Sequence, residues 1–204
     1  RLSRVDLVLI GVSTGGPNAL AEIVPRFPAD LGVPVLIVQH MPPMFTVSLA
    51  EHLSKLSKLA VREACEGERV AAGTVLMAPG GRHMIVRPVP GVRKALSVGI
   101  VDTPPVNSCR PSVDVLFKSV GNAGGMSCLT VILTGMGDDG ADGVAELKRA
   151  GAYCLGQEAS TCVVYGMPRA VVERGLANEI VPLGEMAKRI VAIVKRPGLA
   201  RVGV

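Results

Sequence analysis

Val5-Asp6-Leu7-Val8-Leu9-Ile10 runs directly into Gly11-Val12-Ser13-Thr14-Gly15-Gly16-Pro17. An almost continuous apolar run of this length is what a strand buried on both faces of a parallel sheet requires. The glycines that follow permit a tight turn. Pro17 then stands where a helix begins, since its missing N–H is no loss in the first turn. Strand, turn and helix in that order form the first unit of an alternating α/β chain.

Outward from this unit the alternation continues. The pattern predicts a helix from Pro17 to about Phe27, a buried strand over Val33–Gln39, a helix over Thr46–Leu59 and a short strand over Thr74–Ala78. Between Gly80 and Asp102, Met84–Arg87 and Ala95–Val101 read as paired strands around Pro88, Pro90 and Gly91, a β-hairpin inserted into the alternation. A helix over Ser112–Val120, a buried strand over Leu129–Leu133 and a helix from about Asp138 to Ala150 follow. Strand Ala152–Leu155, a helix near Pro168–Arg174, strand Glu179–Val181 and helix Glu185–Lys195 complete the series. The fold class expected is therefore α/β: a doubly wound, mostly parallel sheet with helices on both faces and an inserted hairpin.

Composition agrees with a packed core and excludes several functions. The 204 residues are 49% hydrophobic and 19% charged, with too little net charge for disorder. Only 2% are aromatic, so Val, Leu, Ile, Ala and Met must fill the interior, and no stacking platform for single-stranded nucleic acid can be built. The formal charge of +5 comes from scattered bases, which fits a solvated surface or attraction to an acidic partner rather than nucleic acid. The longest apolar runs fall far short of the roughly 18 to 20 residues that a membrane span needs. No secretory signal pattern opens the chain, and the absence of an initiator Met leads to the expectation that Arg1 starts either a fragment cut from a longer polypeptide or a trimmed chain. The five cysteines are odd in number and form no C-x-x-C pair, which favours a reducing cytosol over a disulfide framework or a zinc site. Cys128 and Cys154, in apolar runs, read as small core residues.

In doubly wound sheets ligands bind where strand-to-helix loops gather at the carboxyl ends of the strands. Three such loops hold reactive side chains. Gly11–Gly16 matches G-x-S-x-G in a strand–turn–helix setting and exposes the Ser13 hydroxyl near free helix amides. A phosphate-binding or merely capping turn is the alternative. The dinucleotide pattern would need Gly at Ser13 and an acid at the end of the second strand, which ends in Gln39-His40. Gln39-His40-Met41-Pro42-Pro43 places His40 at the next carboxyl end, as a structural histidine or a general base. Thr134–Gly143 supplies Asp138, Asp139 and Asp142 at a helix start, where capping is the simplest role. The spacing of a calcium loop is absent. Ser, His and Asp at three carboxyl ends compose a nucleophile, a base and an orienting carboxylate, in an order different from that of α/β-hydrolases. Of the other histidines, His52 reads as part of a solvated helix face, and His83 as a loop residue able to line the cleft.

Six segments then carry a resemblance. Gly11–Pro17, Gln39–Pro42, Ala78–Gly80, Arg110–Phe117, Leu133–Gly140 and Val164–Pro168 together resemble the CheB family, the catalytic domains of chemotaxis protein-glutamate methylesterases, over nearly the whole chain. The resemblance implies Ser13 as nucleophile, His40 as base and Asp139 as orienting carboxylate, because the family's G-M-G-x-D-G loop selects the second Asp. It implies Met136, through its backbone amide, and Thr14 on the oxyanion side of the cleft. Where many relatives carry His before the basic residue and Pro-Ser-Val, this chain has Cys109.

The activity implied is hydrolysis of glutamyl methyl esters on chemoreceptors, with deamidation of receptor glutamines beside it, and no metal or organic cofactor. Implied partners are the cytoplasmic helices of methyl-accepting receptors and, in the intact protein, a receiver domain that this chain lacks. Nucleic acid and direct membrane insertion are not expected, and the location implied is cytoplasmic. Residues 1–196 are expected to form the catalytic domain and 197–204 a C-terminal tail. A serine hydrolase acting on another ester or amide, and a catalytically silent signalling module, are the rival readings.

Overall fold

Period-two burial organises the sheet. In the computed structural model, which describes residues 4–196, β1 (Leu7–Val12) sends Val8, Ile10 and Val12 to one face, and Leu7 and Leu9 to the other. Strands β2 (Val35–Gln39) and β7 (Cys128–Ile132) divide their apolar residues the same way. A strand buried on both faces needs cover on both, and each face has its own core. One is closed by α1 (Gly16–Ile23), α2 (Phe45–Leu56) and α6 (Leu183–Val194). The other is closed by α3 (Val113–Ala123), α4 (Ala141–Arg149), α5 (Met167–Glu173) and the hairpin of β5 (His83–Pro88) and β6 (Leu96–Val101).

The main sheet has seven strands in the order β3-β4-β2-β1-β7-β8-β9, every pair parallel. Its remaining members are β3 (Ala60–Glu63), β4 (Thr74–Met77), β8 (Tyr153–Gln157) and β9 (Glu179–Val181). Because β2 and β7 flank β1, the loops after all three strands meet at one rim. The hairpin forms a separate two-stranded antiparallel sheet that packs on α3, where Ser119 Oγ accepts from the Val86 amide.

Three differences from the expected elements have physical causes. The helix expected over Thr46–Leu59 ends at Leu56, and the unexpected edge strand β3 begins at Ala60. Only Val61 of that strand is buried, so it carried no alternation to read. The first helix stops at Ile23 and gives way to a 3-10 turn over Val24–Arg26, where Pro25 has no N–H to continue the helical ladder. Helix α4 starts at Ala141 rather than Asp138, because Gly140 takes a left-handed φ of 99°. That last shift leaves Asp139 outside the helix that follows it.

Candidate active site

Ser13 follows β1 in a turn held from both sides. Its amide donates to Thr134 O at 3.0 Å, and its carbonyl accepts from the Gly16 amide at 2.8 Å. Gly15 takes φ 83°, a conformation that side chains rarely adopt. Gly135 lies so close beneath that a Cβ there would stand 2.8 Å from Ser13 Cβ. The Gln39 amide group donates to Ser13 O at 2.9 Å and to His40 O at 3.2 Å, which ties the first two loops together.

His40 continues β2, with its backbone amide on Val12 O at 3.1 Å. Its side chain, 12% exposed, places Nε2 2.7 Å from Asp139 Oδ2 and Nδ1 3.5 Å from Cys109 Sγ. An ionised carboxylate accepts only, so Nε2 carries the proton and Nδ1 the lone pair. Ser13 Oγ makes no hydrogen bond to His40 in this arrangement.

Asp139 is 2% exposed at the side chain and still charged, for a reason the sequence did not disclose. Its carboxylate receives the Val113 amide at 2.7 Å, Ser112 Oγ at 2.8 Å, Asn107 Nδ2 at 3.1 Å and the Asp114 amide at 3.2 Å, besides His40. The first free amides of α3 therefore point at it, together with the positive end of that helix dipole. Burial would raise its carboxyl, but the His40 ring, the Val113 amide and the Ser112 hydroxyl outweigh that and hold it below the ordinary 3.8. The capping role expected for this carboxylate is thus real but belongs to α3, not to α4, which has no side-chain cap.

Two neighbours respond to that charge. Burial, with the Asp139 carboxylate as a second cause, pushes the Cys109 thiol up to about 11. Asp114, buried beside Asp139, accepts from the Gly143 amide at 2.7 Å and from Asn107 at 2.9 Å. Its carboxyl is raised, by burial first and by Asp139 in addition.

Met136 is 75% exposed, and its amide takes part in no backbone hydrogen bond, while the carbonyl of exposed Thr14 accepts from Thr134 Oγ1. Beyond Met136 lies a crevice of about 570 Å³ with Tyr165, Arg169 and Arg174 among its walls. Asp138 is exposed, and so is His52 on α2. His83 does not line the cleft. It is wholly buried, its Nε2 donates to Pro104 O at 3.0 Å and its Nδ1 accepts from the Ser112 amide at 3.1 Å, so it braces the loop before α3. Sequence reasoning assigned no role to Asn107 or Ser112. Ser112, immediately before an apolar helical run, bore the signature of a helix cap; Asn107 gave no local signal.

The fold and this rim define a doubly wound α/β protein that carries Ser13, His40 and Asp139 on loops at the carboxyl ends of adjacent strands, with His40 and Asp139 paired. The family model for the CheB methylesterase matches residues 8–190, and the chain belongs to that family. It is 55% identical to a protein-glutamate methylesterase/protein-glutamine glutaminase of Symbiobacterium thermophilum over 92% of this chain and 50% of that one. A protein of the same name from Archaeoglobus fulgidus is 47% identical over 92% of this chain and 53% of its own. The chain thus spans about half the length of the curated relatives it matches. The crystal structure of the Thermotoga maritima CheB methylesterase catalytic domain superposes with a TM-score of 0.88 at 37% identity, over 93% of this chain and 99% of that one.

Proposed function

We propose that this chain is a catalytic domain that hydrolyses glutamyl methyl esters on chemoreceptors, and deamidates receptor glutamines by the same route. The observation that carries the reading is the His40–Asp139 pair anchored on the N-terminus of α3, one strand from Ser13, in a member of the CheB family. Ser13 Oγ attacks the ester carbonyl and His40 takes its proton on Nδ1, the nitrogen left free by Asp139. Bringing Ser13 and Nδ1 into contact requires the Cys109 thiol to yield its place, an adjustment of the kind that substrate binding commonly brings about. The Met136 amide and the turn at Thr14 face the developing oxyanion. As the acyl bond breaks, His40 gives that proton to the ester oxygen, which leaves as methanol, or to the glutamine amide nitrogen, which leaves as ammonia, and water then releases the acyl group by the reverse path. Each step moves one proton between Ser13, His40 and the leaving group, so no cofactor is needed.

The surroundings suit a receptor helix. Met44, Phe45, Met136 and Val163 leave large apolar area exposed at this rim. Residues 1–196 are assigned to the catalytic domain. Residues 1–3 of that span, and the tail assigned to 197–204, fall outside the described residues. A receiver domain in the intact protein and a cytoplasmic location complete the proposal; among the described residues no helix is long and apolar enough to cross a membrane. The test is methanol release from methylated receptor by this chain and by Ser13→Ala. Release by the parent chain and none by the variant is expected. Equal release by both removes Ser13 as nucleophile, and activity on a generic ester with none on receptor removes the substrate.

A further inference from the structure

Cys109 has no part in the chemistry above, yet its sulfur is the atom that faces the lone pair of His40. Among the described residues, His40, Cys109 and Asp139 are the one group of His, Cys, Asp or Glu side chains in which three ligand atoms lie within 4.8 Å of one another. The separations within that group are informative. Zinc bonds of about 2.3 Å to sulfur and about 2.05 Å to nitrogen, at a tetrahedral angle, place the two ligand atoms about 3.5 Å apart. Cys109 Sγ and His40 Nδ1 stand at 3.5 Å. The Asp139 carboxylate, at 2.7 Å on the opposite ring nitrogen, is too close to share an ion with it and instead holds the imidazole as a buried carboxylate holds a metal-bound histidine.

We propose that Cys109 and His40 form a two-ligand site for a thiophilic divalent cation such as Zn²⁺, with Asp139 orienting the histidine and water filling the remaining positions. On binding, the cation displaces the thiol proton to solvent and takes the Nδ1 lone pair. Negative charge from buried Asp139 stands close by, and an incoming divalent ion is drawn to it. The same lone pair is the one required to accept the Ser13 proton, so the filled site switches the esterase off, and a chelator restores it. This consequence for activity rests on the function proposed above; the binding itself does not.

The experiment uses the 204-residue chain with Cys65 and Cys162, the two other cysteines outside the core, replaced by Ser. Co²⁺ is titrated and thiolate-to-cobalt charge-transfer absorption recorded, with Zn²⁺ competition giving its affinity. One equivalent with a thiolate band is expected, absent in both Cys109→Ser and Cys109→Ala and greatly weakened in His40→Gln. Asp139→Asn should weaken binding roughly 10- to 100-fold, as loss of an orienting carboxylate does. Two substitutions at Cys109, each checked by circular dichroism, guard against one that merely unfolds the loop. No thiolate band at saturating cobalt, or a band unchanged by the loss of Cys109 or of His40, overturns the site. Hydrolysis is read as the ratio of rates with and without zinc, which should fall in the parent and return to unity on loss of Cys109. A band that depends on Cys109, with hydrolysis indifferent to zinc, upholds the site and instead overturns His40 Nδ1 as the base.

Discussion

The two rims of the central sheet hold carboxylates of opposite character. At the carboxyl rim, Asp139 is sealed among backbone amides, a hydroxyl, a carboxamide and an imidazole. At the amino rim, Asp6 lies beside a small cavity of about 260 Å³, meets Lys94 Nζ at 2.5 Å and the Ser127 amide at 3.0 Å, and has Arg4 at 3.9 Å. Both carboxyls sit below the ordinary value although burial raises each. At Asp139 the opposing donors come from a helix terminus and a ring whose positions the fold fixes. At Asp6 the leading one is a lysine on a flexible stem, 40% exposed. A lowered carboxyl therefore says little by itself. What distinguishes a functional rim is that its donors are rigid and that the charge is spent on orienting another reactive group.

The largest effects should come from breaking the carboxyl rim. Ser13→Ala and His40→Ala are each expected to cost on the order of 10⁴ to 10⁶ in hydrolysis rate, and the double variant little more, since triad members act as a unit. Additive losses in steady-state kinetics would contradict a shared mechanism. Asp139→Asn keeps the shape but can no longer favour the proton on Nε2, and its rate should fall by roughly 10²- to 10⁴-fold. Exposed Asp138, whose side chain holds nothing, should tolerate Asn with little kinetic effect. A large loss in Asp138→Asn with Asp139→Asn near wild type would take the orienting role from Asp139 and give it to Asp138.

The carboxyl-rim half of this contrast is legible in the sequence; the Asp6 half is not. Alternating strands and helices, with reactive residues in the loops that follow Ile10, Val38 and Leu133, imply loops gathered at one rim, and the parallel order β2-β1-β7 puts them there. The choice of Asp139 over Asp138 came from the family's loop pattern, not from spacing. The stretch from Asp102 to Pro111 resisted reading, because it has no periodicity and its course depends on what it packs against. It delivers Cys109 to His40, carries Asn107 and Ser108 with positive φ, and lets Asn107 bridge Asp114 and Asp139. The burial of His83, which in the sequence reads as a loop residue able to line the cleft, is hidden for the same reason. Its burial is set by Pro104 and Ser112, residues well away in sequence. Edge strand β3 escaped notice because an edge buries too little to impose a pattern.

A smaller effect sharpens the comparison within the carboxyl rim itself, where Asp139 and Asp114 are perturbed in opposite directions. Asp139 is lowered on folding, so its contribution to stability is present above the unfolded value of 3.8 and is lost as pH falls through the folded value. Asp114 is raised, so its contribution is present below 3.8 and is lost as pH rises through its folded value. Thermal midpoints measured across this range should show the gap between wild type and Asp139→Asn widening as pH rises from below 3.8. The gap between wild type and Asp114→Asn should move the other way. Parallel curves for the two variants would show that the α3 N-terminus does not divide its favour between them.

The smallest effect belongs to the amino rim. Lys94→Ala removes the cation nearest Asp6 but leaves the Ser127 amide donating to the same carboxylate, so no buried group is orphaned. Lys94 is well exposed, and an ion pair of that kind is worth about 0–1 kcal/mol because water screens it and ordering a long side chain opposes it. Denaturant unfolding should therefore show a loss within that range, shrinking further as salt shortens the reach of the charges. Hydrolysis should be unchanged, since the rim lies at the opposite ends of the strands from Ser13. A loss several times larger, or one that persists at high ionic strength, would mean that Asp6 also sits in a rigid network, and the distinction between the two rims would then rest on chemistry at His40 alone.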